Sequence, residues 1–313
     1  MTTALVFAYH DVGVRCLQVL LDGGVEIPLV VTHTDSASEN IWFGSVAELA
    51  RSRGIPVVTP EDANTSSQVM AAAGERPDFV FSFYYRNMLK QPLLDAARLG
   101  ALNMHGSLLP KYRGRAPVNW AVIRGEKKTG ATLHYMEARP DTGDIVDQEA
   151  VAILPDDTAT DVFNKVTSAA GNVMQRSLGP LIAGTAPRKA QDPALASYFG
   201  RRTPEDGRID WREPAAQVHD LVRGVAPPYP GALTTIAGEP ARVLRTSMET
   251  GAGPHARPCI YVRDGQCFAQ CGDGRVLRIL ELEWRGQTFD GRRVPDALRG
   301  NPLPLTPEPA ETQ

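Results

Sequence analysis

The chain has 313 residues, a length that suits two domains better than one. With 42% hydrophobic residues, 22% charged residues and a formal net charge of −3, it has the composition of a globular protein with a sizeable core, and it lacks the strong positive field that gathers a polyanion such as tRNA. Four scattered cysteines, Cys16, Cys259, Cys267 and Cys271, argue against a disulfide framework and give no Cys-x-x-Cys zinc spacing. The N-terminus has no basic segment of the signal-peptide kind, and no apolar run approaches the ~20 residues of a membrane helix. A cytoplasmic protein without direct membrane contact and without a nucleic-acid partner is therefore expected.

Residues 4–8 read as a buried strand, Val14, Leu17 and Leu21 follow at helical spacing, Gly23-Gly24 supplies a stop, and residues 27–32 form the next strand. This sets a βαβ alternation from the start. The intervening turn, Tyr9-His10-Asp11-Val12-Gly13, is not G-x-G-x-x-G, which argues against a nicotinamide dinucleotide. Ser45 and Glu48 have the spacing of a capping box for a helix that ends at Gly54. Residues 57–58 and 78–83 are further strands around a weak helix at 68–73, and Phe83-Tyr84-Tyr85-Arg86 places aromatics where a ring-shaped ligand can pack.

Gly100-Ala101-Leu102 reads as the end of another buried strand, after which residues 118–124 form a short helix. Residues 132–136 alternate like a half-buried strand, with His134 on its surface. Arg139-Pro140-Asp141-Thr142-Gly143 is a turn that fixes the direction of the Asp141 carboxylate. A strand at 144–152 precedes a long helix whose face carries Val162, Val166, Ala169, Val173 and Leu181, with Pro180 expected to kink or shorten it. Residues 184–204, rich in Pro, Gly and charge, read as a linker. Pro214 then begins a helix at 215–225. Short β runs at 233–236, 242–244, 259–262, 267–270 and 276–282 suggest a small barrel, and the prolines from Pro302 onward suggest a disordered tail.

The chemistry concentrates at Asn103-Met104-His105-Gly106-Ser107-Leu108-Leu109-Pro110, immediately after an apolar strand. Asn103 and His105 are two apart, so in extended backbone both point to one side, at the edge where open α/β sheets hold ligands. Arg113-Gly114-Arg115 adds two fixed charges suited to a phosphate.

Asn-x-His-x-Ser-Leu-Leu-Pro followed by Arg-Gly, together with Asp-x-Gly-x-Ile at 141–145, resembles the signature of the 10-formyltetrahydrofolate-dependent formyltransferases. The stretches at 7–11, 32–35 and 81–86, with Phe199-Gly200-Arg201-Arg202-Thr203-Pro204, look most like the members that formylate UDP-4-amino-4-deoxy-L-arabinose in the lipid A modification behind polymyxin resistance. Methionyl-tRNA formyltransferase is the alternative, but it would be expected to carry Gly-Thr-Pro where this chain has Tyr9-His10-Asp11. The resemblance implies an α/β protein, with a Rossmann-like parallel-sheet catalytic domain at 1–203, a smaller OB-like β-barrel domain at 204–301 and a tail at 302–313.

The same resemblance implies roles for particular residues. Asn103 would donate to a developing oxyanion, His105 would handle the proton, and Asp141 would orient His105 and favour its imidazolium form. Contacts to the folate formyl donor would fall on Asn87, Met88 and Leu89 and on Glu137, Ala138, Arg139, Pro140 and Asp141. Arg113, Arg115 and Tyr85 would hold the sugar nucleotide, and no metal would be needed. Homo-oligomerisation is left open, and the decarboxylation that accompanies this chemistry is expected on a separate chain.

Overall fold

The continuous apolar runs at the start of the chain become the inner strands of a sheet, because parallel strands covered by helices on both faces have no solvent side to alternate with. The computed structural model describes residues 1–36, 40–290 and 296–305. It divides into two units that share the chain discontinuously. The first comprises Met1–Pro117, Lys128–Ala152 and Phe163–Gly200, and the second comprises Val118–Lys127, Ile153–Val162 and the chain from Arg201 onward.

In chain order the elements up to Phe199 are β1 (Thr3–Ala8), α1 (His10–Asp22), β2 (Glu26–Val31), α2 (Val46–Ser52), β3 (Val57–Val58), α3 (Ser67–Gly74), β4 (Phe79–Phe83), α4 (Gln91–Leu94), β5 (Gly100–His105), β6 (Arg113–Gly114), α5 (Pro117–Ile123), β7 (Lys128–Tyr135), β8 (Ile145–Ala152), α6 (Ala159–Ile182) and β9 (Tyr198–Phe199). The main sheet has the order β3-β2-β1-β4-β5-β7-β8. Strands β3 to β5 are parallel, whereas β7 and β8 are antiparallel additions. Because β1, β4 and β5 are parallel, their carboxyl ends lie on one edge, and the strand order reverses between β1 and β4. The loop after β5 therefore emerges on the edge where such sheets take ligands.

Local signals act as expected at several points. Ser45 Oγ accepts from the Glu48 amide at 3.2 Å, capping α2. Thr158 and Asp161 make a reciprocal cap at the start of α6, which contains Pro180 near its end and continues to Ile182. On α1 the buried face is Val12, Gly13, Cys16, Leu17, Val19 and Leu20, turned away from the expected stripe of Val14, Leu17 and Leu21 because the helix starts at His10, directly after the strand. One core cluster packs Leu5, Phe7, Leu29, Val31, Val80 and Leu93. Each large side chain buried there contributes about 1.5–3 kcal/mol.

Residues 184–204 are more tightly held than a linker. Lys189 exchanges backbone hydrogen bonds with Ile145 at 2.8 and 2.9 Å, and β9 pairs in parallel with β6.

The second unit contains α7 (Ala215–Gly224) and the strands β10 (Ala232–Ile236), β11 (Glu239–Ala252), β12 (Cys259–Arg263), β13 (Gln266–Gln270), β14 (Arg275–Trp284), β15 (Gln287–Asp290) and β16 (Leu303–Pro304). Its antiparallel sheet runs β10-β11-β14-β13-β12-β16 with β15 beside β14, curled as a half-barrel. Trp211, Val218, Val222, Ile260, Leu277 and Trp284 fill its core, and Trp211 Nε1 donates to Thr234 Oγ1 at 2.7 Å. The expected tail at 302–313 is corrected at its start, since Leu303–Pro304 pairs with Cys259 and Ile260 and Leu305 is buried. Residues 306–313 lie outside the described residues. Among the described residues no helix is long and apolar enough to cross a membrane.

Candidate active site

Strand β5 runs on through the residues expected to follow it, so Asn103 and His105 belong to the sheet itself. In the β5–β7 register Asn103 lies opposite His134 and His105 opposite Thr132. His134 Nδ1 is 2.7 Å from the Tyr135 carbonyl, to which it can only donate, and this assigns the proton of the neutral ring to Nδ1. Nε2 then accepts from Asn103 Nδ2 at 3.2 Å. The Asn103 amide is thereby oriented with its second N–H still available. His134, expected on the surface, is 1% exposed, because β7 is an interior strand between β5 and β8.

The loop after His105 is pinned by side chains from the neighbouring strands. Thr132 Oγ1 donates to the Ser107 carbonyl at 2.6 Å and accepts from the Leu109 amide, and Gln148 Nε2 donates to the Leu109 carbonyl at 2.9 Å. Ser107 Oγ donates to the Lys111 carbonyl at 2.6 Å. His105 Nε2 donates to the Tyr112 carbonyl at 2.8 Å, leaving Nδ1 as the basic nitrogen of the neutral ring. A Cβ on Gly106, next to it, would run into the Tyr84 hydroxyl, so a larger residue there would push that ring aside. Tyr112 and Ala116 have φ of 58° and 49°, conformations that cost non-glycine residues free energy and that cluster at functional sites.

Asp141 arrives from the turn between β7 and β8, itself with φ of 58°. Its Oδ1 is 3.6 Å from His105 Nδ1 and 3.6 Å from His134 Nε2, and its Oδ2 accepts from the Gly114 amide at 2.8 Å. Gly114 has φ of 100°, and a Cβ on it would strike the Phe199 carbonyl, so only glycine lets β6 lie against β9 and aim its amide at the carboxylate. Burial opposes ionisation of Asp141, but His105 and His134 in their protonated forms, with the Gly114 amide, outweigh it and hold the carboxyl well below the usual carboxylate range. The result is a fixed negative charge facing two imidazoles, with an amide donor beside them. Such an arrangement can accept a proton on His105 and stabilise the charge this creates.

The other expected residues divide. Asn87 and Met88 are exposed on the loop after β4, as are Glu137, Ala138 and Arg139 on the loop after β7, and Pro140 is half-buried. Arg115 is exposed. Leu89 has its side chain in the core with Leu93 and Val80, which leaves its backbone to face a ligand. The Tyr85 ring stacks on His33 with centroids 4.3 Å apart and packs edge-on against Phe7 in the same core. Arg113 is 7% exposed, and its Nε and Nη2 donate to Gln191 Oε1 at 3.2 and 2.7 Å, so its guanidinium is committed inside the protein. His134 and Gly114 were the site residues that local sequence reading missed. The signal for His134 was the cross-strand pairing with Asn103, a long-range feature.

A family profile described as "Formyl transferase" matches residues 11–178, and one described as "Formyl transferase, C-terminal domain" matches residues 201–292. The fold is similar to that of an N-formyltransferase from Helicobacter canadensis in complex with folinic acid and dTDP-3-aminofucose, with a TM-score of 0.71 and 19% identity over 91% of this chain and 100% of that one. It is also similar to WlaRD, a sugar 3N-formyl transferase in the presence of dTDP and 5-N-formyl-THF, with a TM-score of 0.70 and 18% identity over 92% and 99% of the two chains. A sugar N-formyltransferase from a Shewanella species gives a TM-score of 0.63 and 20% identity over 80% of this chain and 99% of the other. At these identities the likeness establishes a common fold.

Proposed function

Because this chain belongs to the formyl transferase family, we propose that it moves a formyl group from 10-formyltetrahydrofolate to the amine of a nucleotide-linked amino sugar. The observation that carries this reading is the convergence of Asn103, His105 and Asp141 at the carboxyl edge of the sheet, where His134 hydrogen-bonds the Asn103 amide and the Asp141 carboxylate lies 3.6 Å from both imidazoles. Two of the relatives in fold described above, one with folinic acid and dTDP-3-aminofucose and one with dTDP and 5-N-formyl-THF, support the same substrate classes. On this reading residues 1–203 carry catalysis and residues 204–301 form the second domain.

The chemistry needs one bond made and one broken. The sugar amine attacks the formyl carbon, and Asn103 Nδ2 donates to the oxygen as it becomes an oxyanion, a contribution of about 10²–10³ in rate where such a donor has been removed from other enzymes. His105 takes the proton from the attacking nitrogen at Nδ1, and the imidazolium so formed faces Asp141 at 3.6 Å. Collapse breaks the bond from carbon to the folate N10, and the same proton passes from His105 to that leaving nitrogen. His134 holds the Asn103 amide in place throughout. The exposed, apolar Met88 and the exposed backbone of Glu137 to Arg139 suit a planar ring whose edge carries amide and amino groups. Arg115 is the cation proposed for the nucleotide diphosphate.

The finer acceptor we propose is UDP-4-amino-4-deoxy-L-arabinose, on the strength of the sequence stretches at 32–35 and 199–204. The test is incubation with 10-formyltetrahydrofolate and a panel of amino-sugar nucleotides, alongside charged initiator tRNA, with the product read by mass. A formylated amino-sugar nucleotide is the expected result, with the 4-amino-arabinose substrate preferred. Formylation of the tRNA alone would overturn the acceptor class.

A further inference from the structure

Gln191 has no part in the chemistry above, yet its single amide makes four hydrogen bonds around Asp141. Nε2 donates to the Asp141 carbonyl at 3.0 Å and to the Gly143 carbonyl at 2.8 Å, while Oε1 accepts from Arg113 Nε and Nη2. Both donors and both lone pairs of the amide are thus used. Two of the bonds hold the turn that presents the carboxylate, and the other two hold the residue next to Gly114, whose amide fixes Asp141 Oδ2. One side chain therefore ties together the backbone that carries the carboxylate and the strand that aims it.

Asp141 needs such a restraint. Its φ of 58° lies in the left-handed region, which costs a non-glycine residue roughly 1–3 kcal/mol and aspartate toward the lower end of that range, so the turn is held in place by its surroundings. Gln191 is itself well anchored, between the Lys189–Ile145 backbone pair and the Asp192 side chain, which caps the next turn at the Ala194 amide. The buried Arg113 guanidinium supplies the other half of the clamp.

We propose that Gln191, backed by Arg113, is a positioning residue that fixes the aim of the Asp141 carboxylate at His105. The inference rests on the reading of Asp141 as part of the catalytic cluster. Gln191 touches no reacting atom and acts only through the turn.

Gln191→Met keeps the length of the side chain and removes all four hydrogen bonds. It is expected to lower kcat by about 10-fold to 10²-fold, as a misplacement of about 1 Å does, while KM for the formyl donor stays within about twofold. In an Asp141→Asn background it should cost nothing further, because the group it aims is already lost. Unchanged kcat, or an equal loss in both backgrounds, would overturn the proposal. If Gln191→Met fails to fold with Arg113 left unpaired, Arg113→Met/Gln191→Met removes both partners together and carries the same expectation. Asp141 carboxyl NMR separates this inference from the functional reading. Loss of the clamp should move the Asp141 titration up toward the ordinary carboxylate range, whether or not the wild type turns over the panel of acceptors. A moved titration in an inactive wild type would reject formyl transfer and keep the positioning role, whereas an unmoved one would reject the positioning role.

Discussion

The two units each bury a histidine cluster, and the clusters are built differently. In the first, His105 and His134 face one carboxylate at 3.6 Å, just beyond direct hydrogen-bond distance, and that carboxylate sits on left-handed backbone. In the second, His219 on α7 has its Nδ1 2.8 Å from Thr246 Oγ1 and donates from Nε2 to the Pro155 carbonyl at 3.1 Å. One turn along, Arg223 donates to Asp220 Oδ1 and to the Asp157 carbonyl. Burial pushes His219 below the ordinary imidazole value, and the nearest carboxylate, Asp156 at 3.5 Å, is largely exposed. On the proposed assignment, the difference means that burial alone does not mark a catalytic histidine. His219 closes its own hydrogen bonds on neutral partners, whereas the cluster proposed as reactive keeps charge and a short gap in reserve.

The comparison is broken most severely at the first cluster. Asn103→Ala should lower kcat by about 10²–10³ with the fold intact, and single-turnover rates with calorimetry check both parts. Asp141→Asn should cause a comparable loss and also change the response to acid. Because the Asp141 carboxyl is depressed in the folded state, its stabilisation is complete above about pH 3.9 and is lost as pH falls through the folded value. Urea unfolding should therefore separate wild type from Asp141→Asn at pH 7 and bring them together in strong acid. A constant gap across that range would contradict the charge reading.

At the second cluster the expected loss is in stability. His219→Gln should cost about 1–3 kcal/mol by leaving a buried partner unsatisfied. It should also flatten the stability curve on its acid side. In the wild type, stability falls as pH drops from about 6.5 toward the lower folded value, because the unfolded chain binds the proton first. Smaller effects sharpen the picture of the catalytic loop. Arg115→Ala should raise KM for the sugar nucleotide about tenfold with kcat preserved, the signature of a contact made equally before and during reaction. Ala116→Gly should raise stability by up to about 1 kcal/mol, since glycine adopts a φ of 49° without penalty, and calorimetry reads it directly.

Local pattern was enough to find β1, β4, β5 and the caps, because continuous apolar runs and Ser-x-x-Glu spacing act within a few residues. Asn103 and His105 were legible for the same reason. His134 was not, because alternation along 132–136 describes one strand and cannot say that strands on both sides enclose it. Arg113 and Arg115 have the spacing of residues on one face of a strand, but Gly114 at φ 100° ends the strand between them, leaving one buried and the other exposed. The segment at 184–204 looked like a linker by composition. Its role as a brace depends on Gln191 and Phe199 meeting residues far away in the sequence, which no local window records.

The most direct test sets the two clusters side by side, in single-turnover formyl transfer at saturating donor and acceptor with His105→Ala and His219→Ala. The catalytic assignment expects His105→Ala to lose about 10²–10⁴ in rate while its thermal transition stays near that of the wild type. It expects His219→Ala to keep its rate within about twofold per folded molecule and to unfold at a lower temperature. A His105→Ala enzyme that turns over at the wild-type rate would contradict the assignment.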